Sequence, residues 1–266
     1  MKGCGLGEEC IHGLEAGLCD ACYPKARPEV PVTATATKTR VTRPRSVSLT
    51  APRKVVPASQ KQSTEDVSQH RIFHVTHINN LAAIVEAGAL LADATPTVDI
   101  SSPESRESRR TIVVSDEGDT VASYVPFFLS PESSLWESIR TRAADPRLAL
   151  DSHSVATDFV VLVTSFSAVG ELPTVVADGD AAHALTRYAT TTDAEERMLR
   201  RLRAENESAR LLAAELLVKD SVPLEVVSLI TVANDRTRDA VKAILKSSPH
   251  SPRVAIHPPW FQGAVE

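Results

Sequence analysis

The sequence predicts an α+β fold. Short apolar runs, such as 158–164, 213–218 and 222–233, mix with amphipathic helical stretches without a regular β-α-β alternation. This mixture is typical of α+β proteins with a large antiparallel component. The chain contains no P-loop, no G-x-G-x-x-G and no G-x-S-x-G motif. Phosphate-cradling nucleotide folds and α/β-hydrolases are therefore disfavoured.

Length and composition are those of a globular protein. The chain has 266 residues, of which 42% are hydrophobic and 24% charged, so it is long enough for one domain of about 200 residues with an appendage. No apolar run is long enough to span a membrane. The first residues lack the apolar core of a signal peptide, so we expect a cytoplasmic protein.

The four cysteines all fall within the first 22 residues. Cys10, His12, Cys19 and Cys22 have the spacing C-x-H-x6-C-x2-C, with Cys4 as a further candidate ligand. Four nitrogen or sulfur ligands suit a closed tetrahedral zinc site, and metal binding would supply most of the folding energy of so short a segment. We predict a structural zinc knuckle that docks nucleic acid or another protein.

Three regions follow from composition. Residues 1–25 form the predicted knuckle, and residues 26–66, rich in Pro, Thr and Ser, read as a poorly ordered linker. Between positions 25 and 61 the chain has nine lysines and arginines against one acid, Glu29. Such a tether can hold a polyanion or simply act as a soluble linker. Residues 67–266 are the predicted folded domain.

The domain opens with a strand at 71–77. Alternation places His74 and Thr76 on the same side of this strand, as a polar pair that contacts a ligand would be. A helix at 81–88 follows, which Asn79 or Asn80 can cap.

The later elements rest on local composition. A polar loop covers 93–112 and an aromatic segment covers 123–130. Further helices are predicted from 130, over 178–188 and over 237–247, with strands at 158–164 and 254–261.

Glu215 begins an apolar strand. A glutamate at such a position either points to solvent, which is the commoner arrangement, or is a catalytic carboxylate that its strand holds rigidly against a cleft.

Six short segments together resemble the DarT family. They are 74–81 (HVTHINNL), Arg109-Arg110, 124–128 (YVPFF), 177–182 (ADGDAA), 214–218 (AELLV) and 222–225 (VPLE). DarT proteins are toxins that ADP-ribosylate single-stranded DNA with NAD. The resemblance implies an ADP-ribosyltransferase-like split β-sheet with flanking helices, which binds NAD between its halves.

The resemblance also implies residue roles. Glu215 is the expected catalytic glutamate and Arg110 the expected catalytic arginine, with Arg109 as the alternative. The expected NAD-binding residues are His74, Val75, Thr76, Arg109 and Tyr124. The loop that ends at Arg110 corresponds to the element covering NAD, and residues 174–215 to the target-recognition loop.

Three functions stay open at this point. The first is NAD-dependent ADP-ribosylation of a base in single-stranded DNA, with thymidine the expected base and a macrodomain protein the expected antitoxin. The second is transfer of ADP-ribose to RNA or protein, or hydrolysis of NAD. The third is a non-catalytic module that binds zinc and nucleic acid.

Overall fold

The computed structural model describes residues 67–149, 154–204 and 209–263. Within them the strands are β1 (Arg71–His77), β2 (Ala89–Leu91), β3 (Tyr124–Phe128), β4 (Phe159–Ser165), β5 (Thr174–Ala177), β6 (Tyr188–Ala189), β7 (Glu215–Lys219), β8 (Ser221–Pro223), β9 (Leu229–Val232) and β10 (Arg253–Ile256). The α-helices are α1 (Leu81–Ala87), α2 (Pro103–Thr111), α3 (Ser134–Thr141), α4 (Thr192–Ala204), α5 (Ala209–Ala213) and α6 (Asp235–Leu245).

Eight strands form one sheet in the order β10-β9-β4-β1-β3-β7-β5-β6, and β2 and β8 form a separate pair. Neighbouring strands of the large sheet are antiparallel, except β9 and β10. β1 pairs with β4 along its whole length, yet it pairs with β3 only through Phe73 and Phe128. The predicted α+β fold with a mostly antiparallel sheet is confirmed, and its two halves diverge between β1 and β3.

The two faces of the sheet are covered differently. One carries a continuous apolar core to which α1, α4 and α6 contribute Leu81, Leu199, Leu202, Val241 and Leu245. Burying one such leucine contributes about 2 kcal/mol.

Two smaller groups lie apart from this core. The Trp136 cluster comprises Phe73, Trp136, Ile139, Phe159, Val161, Val163, Ala233 and Phe261. The Tyr124 cluster comprises Val114, Val121, Tyr124, Val175, Ala177, Ala181 and Leu217.

Two expectations about helices were wrong. Residues 178–188 form a loop between β5 and β6, because Asp178 accepts a hydrogen bond from the Arg187 N–H (2.9 Å) and closes a turn. Conversely, the predicted polar loop contains α2, which Ser102 caps by accepting from the Ser105 N–H. Pro103 at the first helical position favours this start.

The predicted asparagine cap of α1 was also wrong. Asn80 occupies the N-cap position without a side-chain cap bond, and its amide is used elsewhere, as described below. In the described parts of the chain, no helix has the length and apolar character needed to cross a membrane.

Glu195 on α4 is a buried carboxyl outside the candidate site, only 4% exposed. Both its oxygens are within hydrogen-bond distance of the Thr174 hydroxyl, at 3.0 and 3.1 Å. Burial raises its pKa from 4.5 to about 7, although the hydrogen bond opposes this. The unfolded chain therefore loses this proton at lower pH than the folded protein does. The free energy of unfolding should decline as pH rises from about 4.5 to about 7.

Replacing Glu195 with glutamine should stabilise the fold above pH 7. The amide keeps a partner for Thr174 and carries no charge, so we expect a gain of roughly 2–3 kcal/mol at pH 8 that shrinks toward pH 4.5. Urea unfolding at several pH values measures it. An equal gain at all pH values would contradict the assignment of a raised pKa.

Candidate active site

Glu215 is the first residue of β7 and is buried, with its side chain 6% exposed. Its cross-strand partner Phe128 packs on the Trp136 cluster, whereas Leu217, two residues further on, belongs to the Tyr124 cluster. The carboxylate therefore lies at the boundary between the two apolar groups. The interpretation of Glu215 as a solvent-facing strand residue is excluded.

Two groups hold the Glu215 carboxylate. Oε1 accepts a hydrogen bond from the Ala181 N–H at 3.1 Å, and Oε2 lies 3.3 and 3.4 Å from the two terminal nitrogens of Arg109. Burial raises the pKa of Glu215, while the positive charge of Arg109 opposes that rise. Glu215 and Arg109 therefore form a partly desolvated ion pair, and the second carboxylate oxygen is held by the backbone N–H of Ala181.

Arg109, the alternative in the sequence-based assignment, is the arginine that meets Glu215. Neighbouring helical residues point about 100° apart, so Arg110 on the same last turn of α2 leaves in another direction and is exposed. The structure thus brings together Glu215 and Arg109, and does not bring Arg110 to the carboxylate.

His74 lies where β1 and β3 diverge. Its Nδ1 is 2.9 Å from the carbonyl oxygen of Pro126, and its ring is 5.6 Å from that of Phe127. Burial lowers the pKa of His74, and the nearby charge of Arg109 lowers it further. Because a carbonyl can only accept, Nδ1 carries the hydrogen and Nε2 of the neutral ring is a hydrogen-bond acceptor.

The other two residues of the predicted H-x-T contact have partners within the fold. Thr76 accepts from the Asn80 amide at 3.1 Å, and Val75 packs against the Trp136 cluster. Asn80 also exchanges two hydrogen bonds with the backbone of Val98, at 2.8 and 2.9 Å. The segment that leads into α2 is thereby fastened to β1.

Tyr124 is buried within the Tyr124 cluster. Its hydroxyl is 3.5 Å from Asp119, which also accepts from Ser115 and pairs with Lys219. Burial raises the pKa of Tyr124. The Tyr124 hydroxyl is therefore already part of a polar group with Asp119, so its predicted contact with NAD would not involve a free hydroxyl.

Potential metal ligands do not cluster in the part of the chain that the structure describes. Within the described residues, no three His, Cys, Asp or Glu side chains come together as metal ligands would. The predicted zinc ligands Cys10, His12, Cys19 and Cys22 lie outside the described residues.

Sequence reasoning missed Asn80 and Ala181. Asn80 was assigned only to helix capping, and the role of Ala181 depends on its backbone N–H, which no side-chain pattern encodes. The signal for the second was the paired Asp178 and Asp180 in the A-D-G-D-A-A segment, since Asp side chains often bond the backbone of turns.

The arrangement suits a reaction that develops positive charge. A fixed carboxylate in a site shielded from water stabilises a cation far better than it would in water. A guanidinium beside it can neutralise phosphate groups and leave the carboxylate ionised.

The chain is similar to known ADP-ribosyltransferases. A family model described as "ssDNA thymidine ADP-ribosyltransferase, DarT" matches residues 73–262. The DNA ADP-ribosyl transferase of Thermus aquaticus is 30% identical over 205 residues, which are 71% of this chain and 88% of that protein. The DNA ADP-ribosyl transferase of Mycobacterium tuberculosis is 28% identical over 196 residues, which are 65% and 81% of the two chains.

Solved structures are also similar. Thermus sp. 2.9 DarT in complex with NAD+ aligns with a TM-score of 0.60 and 25% identity, covering 73% of this chain and 98% of that one. Thermus sp. 2.9 DarT in complex with ADP-ribosylated ssDNA aligns with a TM-score of 0.63 and 24% identity, covering 73% and 96%. The latter likeness is one of fold.

Proposed function

Since the chain belongs to the DarT family of NAD-dependent DNA ADP-ribosyltransferases, we propose that it transfers ADP-ribose from NAD to thymidine in single-stranded DNA. The observation that carries the proposal is the buried ion pair of Glu215 and Arg109, beside the place where β1 and β3 pair only through Phe73 and Phe128. This is where a split-sheet transferase binds NAD. The charge of Arg109 also reaches His74, whose pKa is lowered by burial and by this charge.

Each residue of the pair has a chemical role. Breaking the bond between nicotinamide and ribose C1′ leaves positive charge on the ribose, which the Glu215 carboxylate stabilises more strongly in the transition state than in the ground state. Arg109 keeps that carboxylate ionised and offers its other donors to a phosphate. A bond then forms between C1′ and the base, which gives up one proton.

In this scheme His74 binds NAD and orients it. Its Nε2 acceptor suits an amide N–H or a ribose hydroxyl of NAD, and its neutral state avoids repulsion from the charge that develops on the ribose. Arg110, exposed beside Arg109, has no role in bond breaking in this scheme.

His74→Ala should raise KM for NAD about tenfold, because one oriented hydrogen bond and the packing against Phe127 are lost. Steady-state kinetics of nicotinamide release measure it. His250→Ala is the matched control, since His250 also bonds a backbone carbonyl, that of Val227 at 3.2 Å, outside the site. Equal changes in both variants would contradict a role of His74 in binding NAD.

The loop 178–188 and α4 are the proposed DNA-binding elements. Leu185 on the loop is 83% exposed, as an apolar side chain that packs on an unpaired base would be. Arg187 on this loop and Arg197 on α4 are exposed, as is Arg210 on the following helix α5. All three can contact phosphates.

Oligonucleotides with one thymidine in a background of another base test the acceptor. Incubation with NAD should add one ADP-ribose to the single-stranded DNA containing thymidine and none to the matched oligonucleotide without it. Modification of RNA or of added protein instead, or loss of NAD with no adduct, would overturn the DNA assignment.

A toxin role is part of the proposal. A DNA-modifying transferase blocks replication in its host, so expression of the wild type should arrest bacterial growth while Glu215→Gln does not. The expected partner is a macrodomain protein that removes the ADP-ribose. Equal growth with both forms would contradict the toxin role.

We further propose that residues 1–25 form a zinc knuckle and 26–66 a basic linker ahead of the transferase domain at 67–266. The support is the C-x-H-x6-C-x2-C spacing and the excess of basic residues. We expect about one zinc per chain by elemental analysis, lost in a Cys19→Ser, Cys22→Ser double variant. Zinc-free wild type would contradict it.

A further inference from the structure

We propose that Arg147 and Asp180 are positioning residues that hold the helix carrying Arg109 and the backbone donor of Glu215 in one arrangement. The proposal deepens the function above and rests on it. Neither residue touches the carboxylate of Glu215. Both belong to loops, Arg147 after α3 and Asp180 after β5.

The backbone around Arg147 fixes the start of α2. The Arg147 carbonyl accepts from the Ser102 N–H at 2.8 Å, and the Ala149 N–H donates to Ile100 at 2.8 Å. Ser102 is the N-cap of α2 and is only 5% exposed. The helix that carries Arg109 is therefore anchored at its first turn to the Arg147 segment.

The side chain of Arg147 reaches the second element. Asp145 holds the guanidinium through two contacts, 2.9 Å to Nε and 2.7 Å to Nη2. These bonds lower the pKa of Asp145 to about 2, so the carboxylate remains charged at neutral pH. Nη1 is then directed to Asp180, at 3.2 Å.

Asp180 shapes the peptide that donates to Glu215. Its Oδ1 accepts from the Ala182 N–H at 2.8 Å, and its carbonyl accepts from the Thr186 hydroxyl at 2.6 Å. Between these bonds, the Ala181 N–H donates to Glu215 while the Ala181 carbonyl accepts from Tyr188 at 2.7 Å. The peptide is held on both sides, and Arg147 joins this loop to α2.

The pair also sets the electrostatic surroundings of Glu215. The charged and titratable groups that face the carboxylate are Arg109 from α2, Asp180 from the loop and Tyr188 from β6. Burial raises the pKa of Glu215, Arg109 lowers it and Asp180 raises it. Arg147 balances the charge of Asp180, so removal of either member should move the pKa of Glu215, in opposite directions.

The test compares three variants with one control. Asp180→Asn removes the charge but keeps an oxygen for the Ala182 N–H. Arg147→Gln removes the guanidinium. Arg147→Lys keeps the positive charge but loses the planar group that bonds two carboxylates at once. Arg238→Gln is the control, because Arg238 also pairs with two aspartates, Asp235 and Asp239, but does so on the surface of α6, which packs on the continuous core.

The acid limb of kcat/KM for NAD should move by roughly half a pH unit. We expect the acid limb to move to lower pH in Asp180→Asn and to higher pH in Arg147→Gln. In Arg147→Lys it should lie between those of Arg147→Gln and wild type, and in the control it should not move. Carboxyl ¹³C NMR titration of Glu215, assigned by its loss in Glu215→Gln, should show the same shifts without relying on turnover.

Two results would overturn the proposal. One is loss of activity in both variants with the acid limb and the Glu215 titration unmoved, as a purely structural role gives. The other is unchanged kinetics in all variants. If Arg147→Gln fails to fold, Asp180→Asn and Arg147→Lys still decide. A wild type that makes no ADP-ribosylated product refutes the proposed function instead, and the NMR titration still tests the pair.

Discussion

Replacing Glu215 with glutamine is expected to lower kcat for ADP-ribose transfer by about 100- to 1,000-fold. The amide keeps the shape of the side chain and can still accept from the Ala181 N–H. It cannot supply the negative charge that stabilises the ribose cation. KM for NAD should change little, because the lost interaction is formed mainly in the transition state.

Glu195→Gln is the matched control for this experiment. Both glutamates are buried, and burial raises the pKa of each, but Glu195 bonds Thr174 and lies outside the candidate site. The control should retain full kcat. A Glu215→Gln enzyme with more than a tenth of wild-type kcat would contradict the assignment of Glu215.

Arg109→Gln and Arg110→Gln should differ sharply. Loss of Arg109 leaves the buried Glu215 carboxylate without its counter-charge, so the pKa of Glu215 should rise further and less of the active, ionised form remains at pH 7. We expect about a 100-fold loss of kcat/KM for Arg109→Gln, partly recovered at higher pH. Arg110→Gln should stay within about threefold of wild type.

The pH dependence separates this explanation from simple misfolding. Wild type should need a pH above the ordinary range of a glutamate for full activity, because the carboxylate must be ionised and burial raises its pKa. Arg109→Gln should move that requirement to still higher pH. Equal losses in the two arginine variants, or a larger loss in Arg110→Gln, would contradict the geometry.

The elements with strong local signals were predictable. The strand at 71–77 has β-branched and aromatic alternation and was found with its observed bounds. Glu215 stands at the head of an apolar strand, which made it conspicuous, and the order of the short motifs pointed to a split sheet. These features depend on residues close together in the sequence, so a local sequence pattern can predict them.

The choice between Arg109 and Arg110 could not come from the sequence. It depends on the rotation of α2, which long-range contacts help to set, among them the hydrogen bond from the Ser102 N–H to the Arg147 carbonyl. The sequence predicts a loop at 93–112, and in a loop no helical period separates the directions of the two arginines. A Ser-Pro-Glu start was present at 102–104, but a polar helix has no apolar stripe to support it.

The loop at 178–188 was mistaken for a helix for a related reason. Asp, Gly and Ala are common where helices begin, and the same Asp residues also close turns on their own backbone. Tertiary partners decided between the two, since Arg147 and Arg201 pair with Asp180 and Asp178. Because this segment is a loop, the Ala181 N–H is free of helical hydrogen bonding and donates to Glu215.

The most direct test of the central claim measures nicotinamide release and DNA adduct in one reaction. A single-stranded oligonucleotide with one thymidine is incubated with NAD and enzyme, and both products are quantified by mass spectrometry. We expect nicotinamide and singly ADP-ribosylated oligonucleotide in equal amounts for wild type, with both lost together in Glu215→Gln and Arg109→Gln. Adduct formation that persists in Glu215→Gln, or nicotinamide release without any adduct, would contradict the claim.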